Sequence, residues 1–171
     1  MVEGDEAIYD IEMQCVNSDN LPKRFRYYQS SIDTELLDSG EYYTNLKKSY
    51  IIFICKFDLF KKGLPMYTFE NIAKEDKNIT LNDEAYKVIL NTDYSERYKE
   101  TVNENIIKFL NYINTGEVEN NSCHLVKSLQ KELENLKKDN IVRRDLMNSF
   151  EQDKLIREDE RTENKNCFIK L

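Results

Sequence analysis

Glycine, proline and histidine are scarce in this chain. Only 4 of its 171 residues are Gly and 2 are Pro, which excludes collagen-like chains and glycine-rich phosphate-binding loops. The single histidine, His124, lies in a polar stretch, so a catalytic triad with a histidine base would depend on it alone. The four cysteines form no CxxC pair, and a closed zinc site would have to gather scattered ligands. These absences argue against three common kinds of site.

Long apolar runs are also absent. The longest run, Tyr50 to Cys55, has the length of a strand and falls far short of the roughly 20 residues that a membrane-spanning helix needs. The acidic N-terminus, Met1 to Glu6, has no hydrophobic stretch of the kind found in signal peptides. The sequence therefore predicts a cytoplasmic protein without membrane contacts, whose cysteines are reduced.

Charge is distributed unevenly along the chain. The formal net charge of -7 disfavours nucleic-acid binding by the molecule as a whole. Residues 1–20 hold six acids and no base, whereas Lys23, Arg24 and Arg26 cluster shortly afterwards. Acidic ends with a locally basic middle leave a nucleic-acid surface open.

The first half of the chain alternates between the apolar patterns of strands and of a helix. Period-two alternation indicates one strand, and an almost continuous apolar run is typical of a second strand buried on both faces. Phe25, Tyr28, Ile32 and Leu36 have helical spacing. A turn at Gly4 predicts a strand before it that pairs with the first long strand and is either Met1 to Glu3 alone or lost from the sequence. The predicted elements are strands over 8–16, 50–57, 66–69 and 85–91 and a helix over 21–38.

From residue 95 onward the apolar spacing becomes helical. One stripe runs from Tyr98 to Ile113 and ends at Gly116, a second begins at about Ser122, and a charged third stretch covers 142–165. We therefore predict an α/β fold with three regions, which are an α/β core over 1–92, a helical region over 93–150 and a charged tail over 151–171.

The sharpest chemical pattern lies on the first long strand. Asp10, Glu12 and Gln14 alternate along it, so two carboxylates and an amide form a row on one face, about 7 Å between alternate residues. Hard oxygen donors of this kind suit Mg²⁺, with Glu12 and Asp10 as the metal-binding acids. The alternative interpretation is an ordinary solvated strand face.

A basic and aromatic segment opens the following helix. Its cations, Lys23, Arg24 and Arg26, are suited to binding phosphates, and a helix N-terminus favours anions. The alternative is a soluble helix face that carries ordinary surface bases.

Several blocks of the sequence, taken together, resemble the PD-(D/E)XK nuclease family transposases, a group of recombination-promoting nucleases. The likeness covers roughly residues 5–148. Its blocks are Asp10–Gln14, Leu21–Asp33, Leu36–Gly40, Leu46–Asp58, Pro65–Phe69, Leu90–Asn91 and Phe109–Gly116.

The resemblance implies a restriction-endonuclease-like fold, with a mixed sheet core flanked by helices and a C-terminal helical extension. It also implies Mg²⁺-dependent cleavage of DNA, in which the metal polarises the phosphate and no histidine is required. Glu12 matches the second metal-binding acid of the family, and Gln14 matches a third position that helps to place the attacking water. The residues that match the neighbouring helix, and that would orient DNA or the site, are Arg24, Arg26, Tyr28 and Gln29.

The sequence departs from the family pattern near its N-terminus. The first metal-binding Asp of the family is expected on a strand before Gly4, where this chain has no Asp. We therefore expect an N-terminally truncated member, in which Glu3 or Asp5 would have to act from a turn. One carboxylate and one amide form a weak Mg²⁺ site, which predicts impaired or absent catalysis.

Two functions follow from this departure. The chain is either an active nuclease whose missing acid comes from elsewhere, such as a second subunit of a homo-oligomer, or a non-catalytic protein. In the second case it binds DNA, or pairs with a full-length relative through an exposed sheet edge.

Overall fold

The computed structural model of this chain describes residues 2–4, 6–17, 20–37 and 40–138. It forms two compact units, Met1–Ser122 and Cys123–Leu171, which are described separately. Roles considered for Asp5 and for the side chain of Glu3, the predicted helix over 142–165 and the tail over 151–171 lie outside what the structure describes. The predicted domain boundaries remain a prediction. Among the described residues, no helix is both long and apolar enough to cross a membrane.

The described residues of the first unit form five strands and two α-helices. The strands are β1 (Val2–Glu3), β2 (Ala7–Gln14), β3 (Lys48–Cys55), β4 (Met66–Phe69) and β5 (Ala85–Asn91). The α-helices are α1 (Leu21–Leu36) and α2 (Glu104–Thr115), and two 3₁₀ segments cover Tyr43–Asn45 and Glu96–Thr101. In the second unit, the described helix is α3 (His124–Lys138).

The strands form one mixed sheet with the order β1-β2-β3-β5-β4. The three central strands, β2, β3 and β5, are parallel, whereas β1 and β4 are antiparallel to their neighbours. This arrangement confirms the predicted α/β class, and β1 is the short pairing strand expected before the turn. Because the central strands are parallel, their carboxyl ends meet at one edge of the sheet.

Helix α1 covers one face of the sheet. Pro22 lies in its first turn, where the missing N–H of proline is not needed. Leu21, Phe25 and Ile32 are buried against the sheet, and the ring of Phe25 lies 4.3 Å from that of Phe53 between centroids. The helix ends at Leu36, two residues before the predicted end, because the backbone of Leu37 is already extended.

The opposite face of the sheet is more open than the sequence suggested. On β3, alternate residues are fully buried towards α1, but Tyr50 and Ile52 on the other side are only partly buried. The prediction of a strand buried on both faces is therefore wrong for the start of β3. On that open face Tyr50 stacks between Tyr9 and Tyr86, with ring centroids 5.3 and 5.0 Å away.

The helical stripe predicted from Tyr98 to Ile113 is interrupted. A 3₁₀ segment occupies Glu96–Thr101, and α2 starts anew at Glu104. The break is explained by Asn103, whose side chain accepts a hydrogen bond from the Asn105 amide at 2.8 Å and caps the new helix. Gly116 ends α2 in the left-handed conformation, with φ of 75°.

Candidate functional site

The polar row of β2 faces α1. Asp10, Glu12 and Gln14 are partly buried on that face, whereas Ile11 and Met13 on the other face are 52% and 49% exposed. A strand with one covered and one open face normally turns its apolar side inward and its polar side to water. The reverse orientation here means that polar groups at the sheet–helix interface require partners.

Arg24 of α1 is the partner of Glu12 and Gln14 in this row. Its Nη2 lies 2.6 Å from Glu12 Oε2, and its Nη1 donates to Gln14 Oε1 at 2.8 Å. Nη2 also donates to the Tyr28 hydroxyl at 2.8 Å. Gln14 Nε2 in turn donates to Glu12 Oε2 at 3.2 Å. One guanidinium therefore holds the carboxylate of Glu12 and the amide of Gln14 in fixed orientations.

The guanidinium of Arg24 lies close to two aromatic rings. Its central carbon lies 5.5 Å from the ring centroids of both Tyr28 and Phe53, a distance at which a cation is attracted to the ring face. Hydrogen bonding to Tyr28 raises the pKa of Arg24, burial opposes this effect, and the charge of Glu12 adds to it. Arg24 is therefore a permanent cation at this interface.

The structure brings four of the predicted site residues into one cluster: Glu12, Gln14, Arg24 and Tyr28. Asp10 lies on the same face of β2, two residues before Glu12. Lys23 and Arg26 are exposed on α1. Gln29 lies further along α1, where Nε2 donates to Ser49 Oγ and to Asp33 Oδ1, each at 2.9 Å.

Phe53 is a site residue that the sequence did not identify. Phe53 lies in the apolar run that predicted a core strand, and its ring is fully buried. Only the parallel pairing of β2 and β3, which places Glu12 opposite Phe53 in register, brings the ring beneath Arg24. No local pattern encodes this register.

The comparisons with known proteins identify the family of this chain. The family model of the PD-(D/E)XK nuclease family transposases matches residues 2–166. This chain belongs to that family. No curated protein and no solved structure matches it.

Membership in the PD-(D/E)XK nuclease family transposases confirms the resemblance and supports the restriction-endonuclease-like fold. The mixed sheet with α1 on one face is consistent with that fold. The family implies a nuclease or transposase function and a DNA substrate. PD-(D/E)XK nucleases generally use divalent metal ions.

The donor atoms of the cluster fit such a metal in their chemistry. Glu12 Oε2 and Gln14 Oε1 are hard oxygens that converge on one positive charge, which here is the Arg24 guanidinium. The number of oxygen donors in the cluster is small, however. Across the residues that the structure describes, no three His, Cys, Asp or Glu side chains form a group suited to a metal ion. Mg²⁺ accepts few protein ligands, because it retains waters and binds substrate phosphates.

Proposed function

We propose that this chain is a Mg²⁺-dependent DNA endonuclease with Glu12 and Gln14 at its catalytic centre. The observation that carries the proposal is the convergence of the Glu12 carboxylate and the Gln14 amide oxygen on one cation, on a partly buried strand face. Such preorganised oxygen donors are the requirement for metal-assisted phosphodiester hydrolysis.

Each residue of the cluster has a role in this proposal. Glu12 and Asp10 would hold the metal, which when bound polarises the phosphate and lowers the pKa of water. Gln14 would position the attacking water through its side-chain amide. Arg24 fixes the rotamers of Glu12 and Gln14, and Tyr28 fixes Arg24. We expect turnover to be slow, because the described residues provide so few acidic ligands.

A non-catalytic DNA-binding role is the second candidate. It is favoured by Arg24, which already engages Glu12 Oε2 and Gln14 Oε1, the two oxygens proposed to act in catalysis. A permanent guanidinium satisfies the carboxylate without a metal. In this case the protein would bind DNA without cutting it.

The part of β2 that extends beyond β1 offers a place for a protein partner to pair with the sheet. β1 pairs only with Tyr9 and Ile8 of β2, through Val2 and Glu3. Among the described residues, the segment Asp10–Gln14 therefore has a strand neighbour on one side only. A second copy or a full-length relative could pair there and supply a further acid, as edge strands readily accept another strand.

A plasmid-nicking assay tests the endonuclease. We expect Mg²⁺-dependent conversion of supercoiled plasmid by the wild type, and loss of at least about a hundredfold in rate with Glu12→Gln. Glu35→Gln, which makes the same chemical change at an exposed position of α1, is the matched control and should cleave normally. If wild type and Glu12→Gln are equally inactive yet both bind duplex DNA, the non-catalytic role is correct.

A further inference from the structure

A second cluster of charged residues lies at the carboxyl edge of the sheet. A cavity of about 490 Å³ is lined there by Lys61, Lys62 and Arg97, and also by Asn17. Asn17 follows the end of β2 by three residues, so the cavity adjoins the strand end that carries Gln14. The three cations come from two segments, the loop after β3 and the 3₁₀ segment after β5.

Asp58 builds the loop that carries the two lysines. Its carboxylate accepts hydrogen bonds from the amides of Phe60 at 3.1 Å and Gly63 at 2.6 Å, and from the Tyr67 hydroxyl at 2.8 Å. Lys61, at the centre of the loop, is held in the left-handed conformation with φ of 54°. A non-glycine residue adopts this conformation only where its surroundings impose it. The loop is therefore a rigid support for its lysines.

The same loop is fastened to the segment that carries Arg97. The Ser95 amide donates to the Gly63 carbonyl at 2.9 Å. Gly63 has a φ of +75°, and a Cβ there would lie 3.0 Å from the Cβ of Ser95, so close an approach requires glycine. Arg97 itself stacks on the ring of Tyr98, with 4.5 Å between its central carbon and the centroid.

The lysine charges of this cavity are available to a ligand. Lys61 and Lys62 are exposed, and within the described part of the chain their ammonium groups form no ion pair. Of the two acids in the cavity lining, Asp58 is turned towards the backbone of its own loop and Asp93 is exposed. The lining carries three cations against two carboxylates, so the cavity is positive by one charge in a chain of net charge -7, which favours an anionic partner.

We infer that Lys61, Lys62 and Arg97 bind the phosphate backbone of duplex DNA beside the Glu12 site. The inference rests on the proposed function, because it is the nuclease that identifies the anion. Gln14 and Asn17 are three positions apart and the chain bends at Cys15 and Val16, so at most about 10 Å separate their Cα atoms. Phosphates follow one another about every 3.4 Å of helix axis along one strand, so the cavity wall at Asn17 lies within about three nucleotides of Gln14.

Paired double variants test this surface. Lys61→Asn combined with Lys62→Gln removes two cations, and Asn tolerates the left-handed backbone at position 61. The matched control is Lys74→Asn combined with Lys77→Gln, at exposed positions between β4 and β5 near the opposite edge of the sheet. Binding to a fluorescent duplex is measured by anisotropy in EDTA, so that cleavage plays no part, and thermal unfolding verifies folding.

We expect the Lys61 and Lys62 double variant to bind roughly tenfold more weakly at about 0.1 M salt. Its log–log salt dependence should be shallower by about 2, one unit for each phosphate contact. The Lys74 and Lys77 variant should match the wild type. Equal losses in both double variants, unchanged affinity in the first, or no DNA binding by the wild type would each overturn the inference.

The binding assay and the nicking assay can fail separately. If the wild type does not nick plasmid, but the Lys61 and Lys62 double variant alone loses affinity for DNA, the proposed catalysis is contradicted and the DNA-binding surface is retained. A wild type that cleaves plasmid, with both double variants binding equally well, would keep the catalysis and contradict the surface.

Discussion

The guanidinium of Arg24 and the carboxylate of Glu12 form a 2.6 Å ion pair that joins α1 to β2. Their side chains are 30% and 27% exposed, so water screens the pair only in part. Ion pairs on an open surface stabilise proteins by less than about 1 kcal/mol, whereas removing one partner of a buried pair costs about 3 kcal/mol or more. This pair lies between these limits and is reinforced by Gln14 and Tyr28.

Removal of Arg24 should therefore destabilise the fold. We expect Arg24→Met to lower the free energy of unfolding by about 1–3 kcal/mol, because Glu12, Gln14 and Tyr28 lose their common donor. Urea denaturation at neutral pH measures the change. Arg26→Met, on the exposed side of the same helix, is the control and should stay within about 0.5 kcal/mol of wild type. Equal effects of the two substitutions would contradict a structural role for the ion pair.

Asp58 provides a prediction with a defined pH dependence. Burial alone would raise the pKa of Asp58, but hydrogen bonds from Gly63, Tyr67, Phe60 and Lys61 outweigh it and lower the pKa below 3.8. A carboxyl group with a depressed folded-state pKa contributes stability above its unfolded pKa, and this contribution is lost as the pH falls through the folded value.

We expect Asp58→Asn to destabilise the protein by about 1–2 kcal/mol at pH 7, since the amide replaces a charged acceptor in several hydrogen bonds. The difference should shrink as the pH falls below about 3.8, where the carboxyl group of the unfolded wild type becomes protonated, and disappear once the pH passes the lower pKa of the folded state. Thermal unfolding of both proteins at several pH values measures it. Asp76→Asn, in an exposed turn, is the comparison. A difference that stays constant down to pH 3 would exclude the charge as its cause.

Local patterns were sufficient to predict most strands of the fold. The strands over 66–69 and 85–91 coincide with β4 and β5, because both are bounded by turn residues and carry apolar side chains in short runs. The end of α1 and the break before α2 were missed, since they depend on the backbone at Leu37 and on the cap at Asn103.

The geometry of the candidate site was less accessible to sequence reasoning. Alternation along β2 placed Asp10, Glu12 and Gln14 on one face, but alternation does not reveal which face a helix covers. The contacts of Arg24 with Glu12 and Gln14 span twelve and ten positions of the sequence, and no short motif encodes them. Lys61 and Lys62 are adjacent in the sequence and form a local basic pair, but their grouping with Arg97 was missed, because it joins two separate segments.

The tyrosine ladder on the open face of the sheet leads to a third prediction. Tyr50 stacks against Tyr9 on β2 and Tyr86 on β5, with interplanar angles of 9° and 17°. Cross-strand aromatic pairs contribute about 0.5–1 kcal/mol each beyond the area they bury. We expect Tyr50→Ala to cost about 2–3 kcal/mol, and Tyr42→Ala, at a residue 79% exposed, to be close to neutral. Urea denaturation distinguishes them, and similar midpoints would contradict a stabilising role for the ladder.

The cysteines differ in burial and should therefore differ in reactivity. Cys55 lies at the end of β3 with no exposed surface, and burial raises the pKa of its thiol to about 11. Cys15, directly after β2, is exposed. Because only the thiolate reacts with iodoacetamide, Cys15 should be alkylated at pH 8 in the folded protein, and Cys55 only after unfolding in urea.

The raised pKa of Cys55 also fixes the direction of a pH effect. A thiol that ionises near pH 9.0 in the unfolded chain and about pH 11 in the fold contributes stability below pH 9, and this is lost as the pH rises through 11. Cys55→Val removes the ionisable group at similar volume, so wild type should lose unfolding free energy relative to this variant between pH 9 and 11. Peptide mapping after alkylation measures the reactivity of the two thiols. Urea titration at pH 9 and pH 11 measures the change in unfolding free energy. Alkylation of folded Cys55 as fast as Cys15, or parallel pH profiles for wild type and Cys55→Val, would contradict a thiol held neutral by burial.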